Sequence, residues 1–307
     1  MSDTQAKRLN KFISETGFCS RREADTLISS GRVTVNGQMP EMGLKVTDND
    51  DVLIDNKPLK SKSKAVYIAL NKPVGITCTT ERDVEGNIVD YVGLKQRIFP
   101  IGRLDKPSEG LIFLTNDGDI VNKILRAGNN HEKEYVVRVD KPITEAFLKK
   151  MRSGVPILDT VTQPCKVEKE TNYSFRIILT QGLNRQIRRM CEALDYRVFK
   201  LRRVRIMNIT IDGIANGKWR YLSEQEVTQI LSLCEHSSST EEASQLAPIH
   251  KSEPKAAMKK SGVNKPTASK RFKEPSARKT KAHVKTAPKR EERKSIKGTL
   301  SLKAKQR

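Results

Sequence analysis

The run from Phe99 to Asp119, FPIGRLDKPSEGLIFLTNDGD, constrains this 307-residue chain more than any other. Gly102-Arg103-Leu104-Asp105-Lys106-Pro107 cannot continue as regular strand or helix, because Pro107 lacks a backbone donor and pushes the residue before it towards extended geometry. Leu111-Ile112-Phe113-Leu114-Thr115 is the short, unbroken apolar stretch of a buried strand, and Asn116-Asp117-Gly118-Asp119 turns the chain again. One carboxylate, Asp105, is thereby set between Arg103 and Lys106 at the mouth of a buried strand. Loops placed by a rigid scaffold in this way often carry chemically active groups. Taken alone, Asp105 also fits an aspartate that merely caps a turn.

Upstream, the pattern predicts a compact helical pair. Leu9, Phe12 and Ile13 fall at helical spacing and Gly17 ends that helix. Ser20-Arg21-Arg22-Glu23 is a capping-box pattern opening a second helix with Ala24, Leu27 and Ile28 as its apolar stripe, ended by Gly31. Arg32-Val33-Thr34-Val35-Asn36-Gly37 reads as a strand entering an Asn-Gly hairpin turn, and Val52-Leu53-Ile54 as a closing strand. Lys60 to Lys64 has linker composition. Lys7, Arg8, Lys11, Arg21, Arg22 and Arg32 crowd into this short module, as either a solvated face or an anion-binding one.

Residues 66 to 236 mix strands and helices without strict alternation. Strands are expected at Val66–Leu70, Leu111–Thr115, Tyr135–Val139, Phe175–Thr180 and Val204–Ile211. Helices are expected at Asp119–Arg126, Thr144–Arg152, Asn184–Leu194 and Glu224–Cys234, the last behind a second capping-box pattern at Ser223. The expectation is an α+β fold with a mixed, largely antiparallel sheet. The domain plan is therefore a small module at 7–65, a larger domain at 66–236 and a tail at 237–307.

The tail has a different character. Its 20 Lys+Arg against 6 Asp+Glu supply +14 of the chain's +22, and with Phe272 as its one aromatic it lacks the apolar surface to offset chain entropy. It is expected to be disordered, either drawing phosphates without sequence preference or simply keeping the chain soluble. The rest of the chain is still basic, which points to a polyanionic partner. Nucleic acid fits better than a membrane, since no stretch approaches the ~20 apolar residues of a transmembrane span. No apolar leader core follows Met1, and Cys19, Cys78, Cys165, Cys191 and Cys234 show neither paired metal spacing nor a disulfide framework. These features predict a reduced, cytoplasmic protein.

Three segments in this order carry a resemblance: Gly102-Arg103-Leu104-Asp105 with Ser108-Glu109-Gly110-Leu111, then Asn129 to Tyr135 (NNHEKEY), then Gln181 to Met190 (QGLNRQIRRM). Together they are similar to the motifs of the RsuA family of pseudouridine synthases, over roughly residues 7 to 236. The N-terminal module resembles the S4 RNA-binding domain. The resemblance implies isomerisation of uridine to pseudouridine in ribosomal RNA, 23S rRNA first, with transfer RNA open as a further target, by a monomer. That reaction breaks the C1′–N1 bond, turns the base and rejoins it through C5. Neither electrons nor atoms are gained, so no cofactor or metal is called for.

The resemblance also assigns roles. Asp105 would be the catalytic carboxylate, acting either on C1′ or on a ribose proton. Tyr135, by itself also a plausible packing aromatic at a strand start, would stack on the base and serve as final base. Arg188 sits on a helical wheel about 110° from the stripe of Ile187, Met190, Cys191 and Leu194. From that border it would reach Asp105 and favour the carboxylate. Arg185 and Arg189 point nearly opposite the core, as phosphate contacts or as a solvated face. Arg103 would fill the gap left by a flipped-out uridine. Ser108 stands where many relatives have threonine.

Two other classes compete. A noncatalytic S4-type RNA-binding protein would leave the Asp105, Tyr135 and Arg188 segments without a purpose. An S4-bearing methyltransferase would need a glycine-rich donor loop, and the chain contains no GxG. Gly213 to Lys218 has the wrong glycine spacing for a phosphate loop, and Trp219 replaces its magnesium-binding hydroxyl.

Overall fold

In the computed structural model, which describes residues 6–126 and 129–235, the N-terminal module contains β1 (Lys7–Arg8), α1 (Leu9–Glu15), α2 (Arg21–Ser29), β2 (Val33–Val35), β3 (Lys45–Val46), β4 (Val52–Ile54) and β5 (Lys57–Pro58). The reciprocal cap of α2 is present: the Glu23 amide donates to Ser20 Oγ at 3.1 Å and the Ser20 amide to the Glu23 carboxylate at 2.6 Å. Leu9 and Ile13 from α1, Ala24 and Ile28 from α2, and Val33, Val46, Val52 and Ile54 from the strands close a small core. Asn36 and Gly37 both take positive φ, as a type I′ turn requires. The hairpin stops after a single bridge, Val35 to Gln38, and β2 pairs instead with β4.

The larger domain follows with β6 (Tyr67–Lys72), α3 (Ile88–Val92), β7 (Phe99–Ile101), β8 (Glu109–Thr115), α4 (Asp119–Leu125), β9 (Lys133–Val139), α5 (Glu145–Ser153), β10 (Pro156–Ile157) and β11 (Thr160–Val161). It continues with β12 (Lys166–Lys169), β13 (Ser174–Leu179), α6 (Gln186–Glu192), β14 (Val198–Ile206), β15 (Ile209–Thr210), β16 (Trp219–Tyr221) and α7 (Glu224–Leu233). The main sheet runs β12-β13-β9-β14-β8-β6-β16, with β7 on β8 and β15 on β14. Among the described strands of this sheet only the β8–β14 pair is parallel, so the fold is α+β with the mixed, largely antiparallel sheet expected. The strand expected at Val204–Ile211 differs. It starts at Val198, and Met207 at φ 53° turns the chain into β15. The tail 237–307 lies outside the described residues.

The sheet separates three apolar clusters. Val137, Phe175 and Ile177 pack against Phe147, Leu148 and Met151 of α5 and Met190 of α6. The β6 and β8 strands bury Ala69, Leu111 and Phe113 against α4 and α7 on one face, and Ile68, Leu70, Ile112 and Leu114 against α3 on the other. All seven residues of β8 are buried, Glu109 and Thr115 at its ends as well as the apolar run Leu111–Leu114. Lys11 Nζ reaches Asp119 Oδ1 at the start of α4 (2.6 Å), fixing the N-terminal module to the core.

Two strands share one edge of β8. β7 pairs with its far end, Phe99 opposite Thr115 and Ile101 opposite Phe113, while β14 pairs with its beginning, Arg202 opposite Glu109 and Arg203 opposite Gly110. Residues 102–108 must therefore lift out of the sheet where β14 takes over. Gly110 makes this crossing possible: at φ +112° a Cβ there would lie 2.2 Å from the Arg203 carbonyl oxygen.

Candidate active site

The lifted loop carries Asp105. The Ser108 amide donates to the Asp105 carbonyl (2.9 Å), the Gly75 amide to the Lys106 carbonyl (2.9 Å), and the Leu104 amide to Cys78 Sγ (3.4 Å), so three contacts fix its backbone. Leu104 is buried beneath it, while the Asp105 side chain is one-third exposed at 34%. The loop opens onto a cavity of about 580 Å³ lined by Arg103, Asp105, Lys133, Tyr135, Arg185 and Arg203, with Thr77 to Thr79 on the far wall.

Two arginines converge on the carboxylate. Arg185 Nη1 donates to Asp105 Oδ2 at 3.2 Å, and Arg188 Nε lies 3.7 Å from the same oxygen. The second contact is too long for a hydrogen bond and works through charge alone. Arg188 is otherwise firmly held, Nη1 on the Val198 carbonyl (3.2 Å) and Nη2 on Ser108 Oγ (3.1 Å). Burial pulls its guanidinium below the usual arginine value, and Asp105 acts in the opposite sense.

Arg185 corrects the sequence reading, which aimed it away from the core. α6 begins at Gln186 rather than Asn184, and Arg185 is its cap in the left-handed region (φ 49°, ψ 34°). The helical phase therefore does not apply to it, and the unusual backbone turns its side chain onto Asp105. Gln186 stabilises this start by accepting the Leu183 amide (3.0 Å) and donating to Gln181 Oε1 (3.1 Å). Arg188, at the border of the stripe, is buried. Arg189 folds back onto Asn184, donating to its carbonyl at 3.1 Å.

Tyr135 lies on β9 opposite Ile177 and Arg203, half-buried and packed on two of the apolar clusters. Arg203 sits 5.9 Å from its ring centroid and donates Nε to the Leu111 carbonyl (2.6 Å). Lys133 donates to the His131 carbonyl (3.0 Å), and burial together with Arg203 lowers its amine to about 8. Ser108, Lys133 and Arg203 had no role in the sequence reading. Ser108 and Lys133 lay inside the quoted motifs, whereas Arg203 gave no local signal.

The remaining cations divide into two groups. Lys7 pairs with Glu15 (3.1 Å), Lys11 with Glu15 and Asp119, and Arg32 with Asp55 (Nε to Oδ1, 2.8 Å), which occupies them within the protein. Arg8, Arg21 and Arg22 are exposed, with no carboxylate in ion-pair range among the described residues. Arg103 is exposed at the cavity rim.

Comparison with known proteins agrees with this construction. The family model for RNA pseudouridylate synthase matches residues 66–193 and that for the S4 domain residues 7–52. The chain is 54% identical over 261 residues to the dual-specificity RNA pseudouridine synthase RluF of Escherichia coli (strain K12), covering 84% of this chain and 87% of that protein. It is 34% identical to the ribosomal large subunit pseudouridine synthase B of Bacillus subtilis (strain 168), covering 75% and 98%. A crystal structure of a pseudouridylate synthase superposes with a TM-score of 0.55 at 27% identity, over 73% of this chain and 99% of that one. An S4 domain ahead of a mixed-sheet core, an aspartate loop braced by motif arginines, and this degree of identity place the chain in the RsuA family of RNA pseudouridine synthases, isomerases of RNA uridines.

Proposed function

We propose that this enzyme converts a uridine of 23S ribosomal RNA to pseudouridine, with Asp105 as the group acting at the ribose, and that it works as a cytoplasmic monomer. The observation that carries the reading is the Asp105 carboxylate, set against Arg185 and Arg188 on the wall of the cavity that Tyr135 also lines. The names of two relatives support the substrate, one a large-subunit enzyme and the other an enzyme of dual specificity. The second name favours a further RNA class, for which transfer RNA is our proposal.

In this reading the flipped uridine enters the cavity with C1′ beside Asp105. The carboxylate either attacks C1′, displacing N1, or removes a ribose proton and so expels the base. Arg185 and Arg188 fix the carboxylate's position in both routes. The freed uracil turns against the Tyr135 ring until C5 faces C1′. As C5 bonds to C1′, the Asp105–C1′ bond breaks or, in the second route, Asp105 returns the ribose proton; Tyr135 then takes the C5 proton and the anionic N1 takes one up, so the atoms balance. Arg103, at the rim two residues before Asp105, occupies the space the uridine vacates, repaying part of the few kcal/mol of lost stacking. Arg8, Arg21 and Arg22 contact phosphates on the N-terminal module.

Asp105→Asn tests the reading because asparagine keeps the shape and loses the charge. Folding and RNA binding should persist, and pseudouridine formation in single turnover should fall by at least about 1000-fold. A variant retaining more than a few per cent of the wild-type rate excludes Asp105 from this role. Mapping pseudouridine in ribosomal and transfer RNA from cells lacking the protein identifies the modified position.

A further inference from the structure

We propose that a second groove, between the N-terminal module and the core, holds the phosphate backbone of the RNA strand leaving the active-site cavity, with Arg82, Lys95 and Arg97 as its core-side contacts. This rests on the RNA-modifying role argued above and adds a binding track to it.

The groove encloses about 840 Å³. One wall is Gly17 to Glu23, the turn that enters α2; the other is Thr80 to Asp83 together with Lys95, Arg97 and Ile98 of the core. Arg21 and Arg22 face the groove from the module, and Arg82, Lys95 and Arg97 from the core. None of these five has a carboxylate within ion-pair distance among the described residues. Elsewhere the protein neutralises its cations readily, as at Lys11, Arg32, Arg176 and Arg220. Three carboxylates also line the groove, Glu23, Glu81 and Asp83. Glu23 caps Ser20 and also interacts electrostatically with Arg97, so the cations exceed the carboxylates by five to three. The cations without a matching carboxylate repel one another across the groove, and an anion threading between the walls relieves that repulsion.

The occupant follows from continuity. A single loop forms a wall of both spaces: Thr77, Cys78 and Thr79 line the cavity with Asp105, and Thr80 to Asp83 line the groove. This loop is held in place, with the Thr77 amide on the Gly86 carbonyl (2.9 Å) and Cys78 Sγ accepting from Leu104 beside Asp105. A strand with one nucleotide in the cavity needs only to cross this loop to lay its next phosphates between the basic walls. Phe18, exposed at 56% on the groove's edge, offers a face for an unpaired base. An acidic protein segment would match the charge but has no reason to start at the catalytic cavity.

The test uses the full chain and an RNA fragment that contains the converted uridine with single-stranded flanks. Arg82→Gln, Lys95→Gln and Arg97→Gln are combined, and dissociation constants are measured across a salt series. Each phosphate contact on a single strand contributes about 0.7 to the slope of log K against log[salt], so the triple variant should flatten it by about 2 and weaken binding about tenfold or more. Arg82→Lys with Arg97→Lys should keep the wild-type slope. A control neutralising Lys149, Lys150 and Lys166, all exposed and remote from the groove lining, should leave the slope nearly unchanged. An unaltered slope in the triple variant, or an equal change in the control, overturns the proposal. Conversion of the uridine by the wild-type chain is scored in the same preparation, so failure of the enzymatic reading is distinguishable from failure of the groove.

Discussion

Which of the two arginines beside Asp105 matters more is decided by burial rather than distance. Arg185 is closer, at 3.2 Å, but its side chain is 42% exposed, and pairs in such surroundings are worth about 0.2–1 kcal/mol. Arg188 is farther, at 3.7 Å, and only 9% exposed. At an effective dielectric near 20, opposite charges at that separation attract by roughly 4 kcal/mol. The carboxylate is itself one-third exposed, and screening reduces the expected contribution to about 2 kcal/mol. If Arg188 stabilises the reacting arrangement through this attraction, Arg188→Met should slow single-turnover pseudouridine formation by roughly 30-fold. Arg185→Met should slow it by only about 2- to 5-fold. Arg188→Lys should recover part of the loss, because an ammonium restores charge without spanning the Val198 carbonyl and Ser108 Oγ together. Rates are taken at saturating RNA, with thermal unfolding run alongside, since Arg188→Met also strands those two acceptors at about 1–3 kcal/mol each. Equal losses at the two arginines, or a larger one at Arg185, would refute the argument from burial.

Further outcomes follow from the structure. Lys133 titrates near 8 when folded and near 10.5 when unfolded, so the unfolded chain binds more protons between these values and stability rises with pH across that window. Lys133→Met should abolish that component, changing the wild-type-minus-variant unfolding free energy by about 2 kcal/mol between about pH 7 and about pH 9.5; parallel urea-denaturation profiles would contradict it. Gly110→Ala places a methyl group against the Arg203 backbone at a φ that alanine resists, and should lower stability by ~3 kcal/mol or more, measured by denaturant titration. Removing residues 237–307, with their +14 charge, should reduce the salt dependence of RNA binding while the same uridine is modified, and a changed modification site would contradict a nonspecific role.

Sequence was most informative where local chemistry is decisive. The Ser20 and Ser223 caps, the apolar β8 strand and the Asp105 loop depend on neighbours within a few residues, and all are present. It was least informative where partners come from afar. Lys7, Lys11 and Arg32 looked like free surface cations until tertiary packing brought Glu15, Asp119 and Asp55 to them. Arg203 lies in the interior strand of a sheet, a position its charge argues against. It is tolerated because the Leu111 carbonyl and the Tyr135 ring meet its guanidinium. Arg185 was misplaced by a helix boundary wrong by two residues, enough to rotate a side chain to the other side. Ser108 stands where many relatives have threonine, and the hydroxyl common to both is one of the two groups that hold Arg188.

The position of Tyr135 on two apolar clusters has a consequence for assembly. Asp105 belongs to the part of the sheet organised by β6 and β8, whereas Arg188 is carried by α6, which packs with β9, β13 and α5. Neither part alone holds both members of the Asp105–Arg188 pair. A nascent chain in which only the first has condensed presents an aspartate without its buried arginine, and one in which only the second has condensed has no aspartate at all. On the reading proposed above, the full rate of glycosidic-bond cleavage therefore requires the two parts to be docked. A partly folded chain held on RNA by its basic N-terminal module would, on the same reading, cleave that bond more slowly, and would leave fewer baseless riboses behind while it folds.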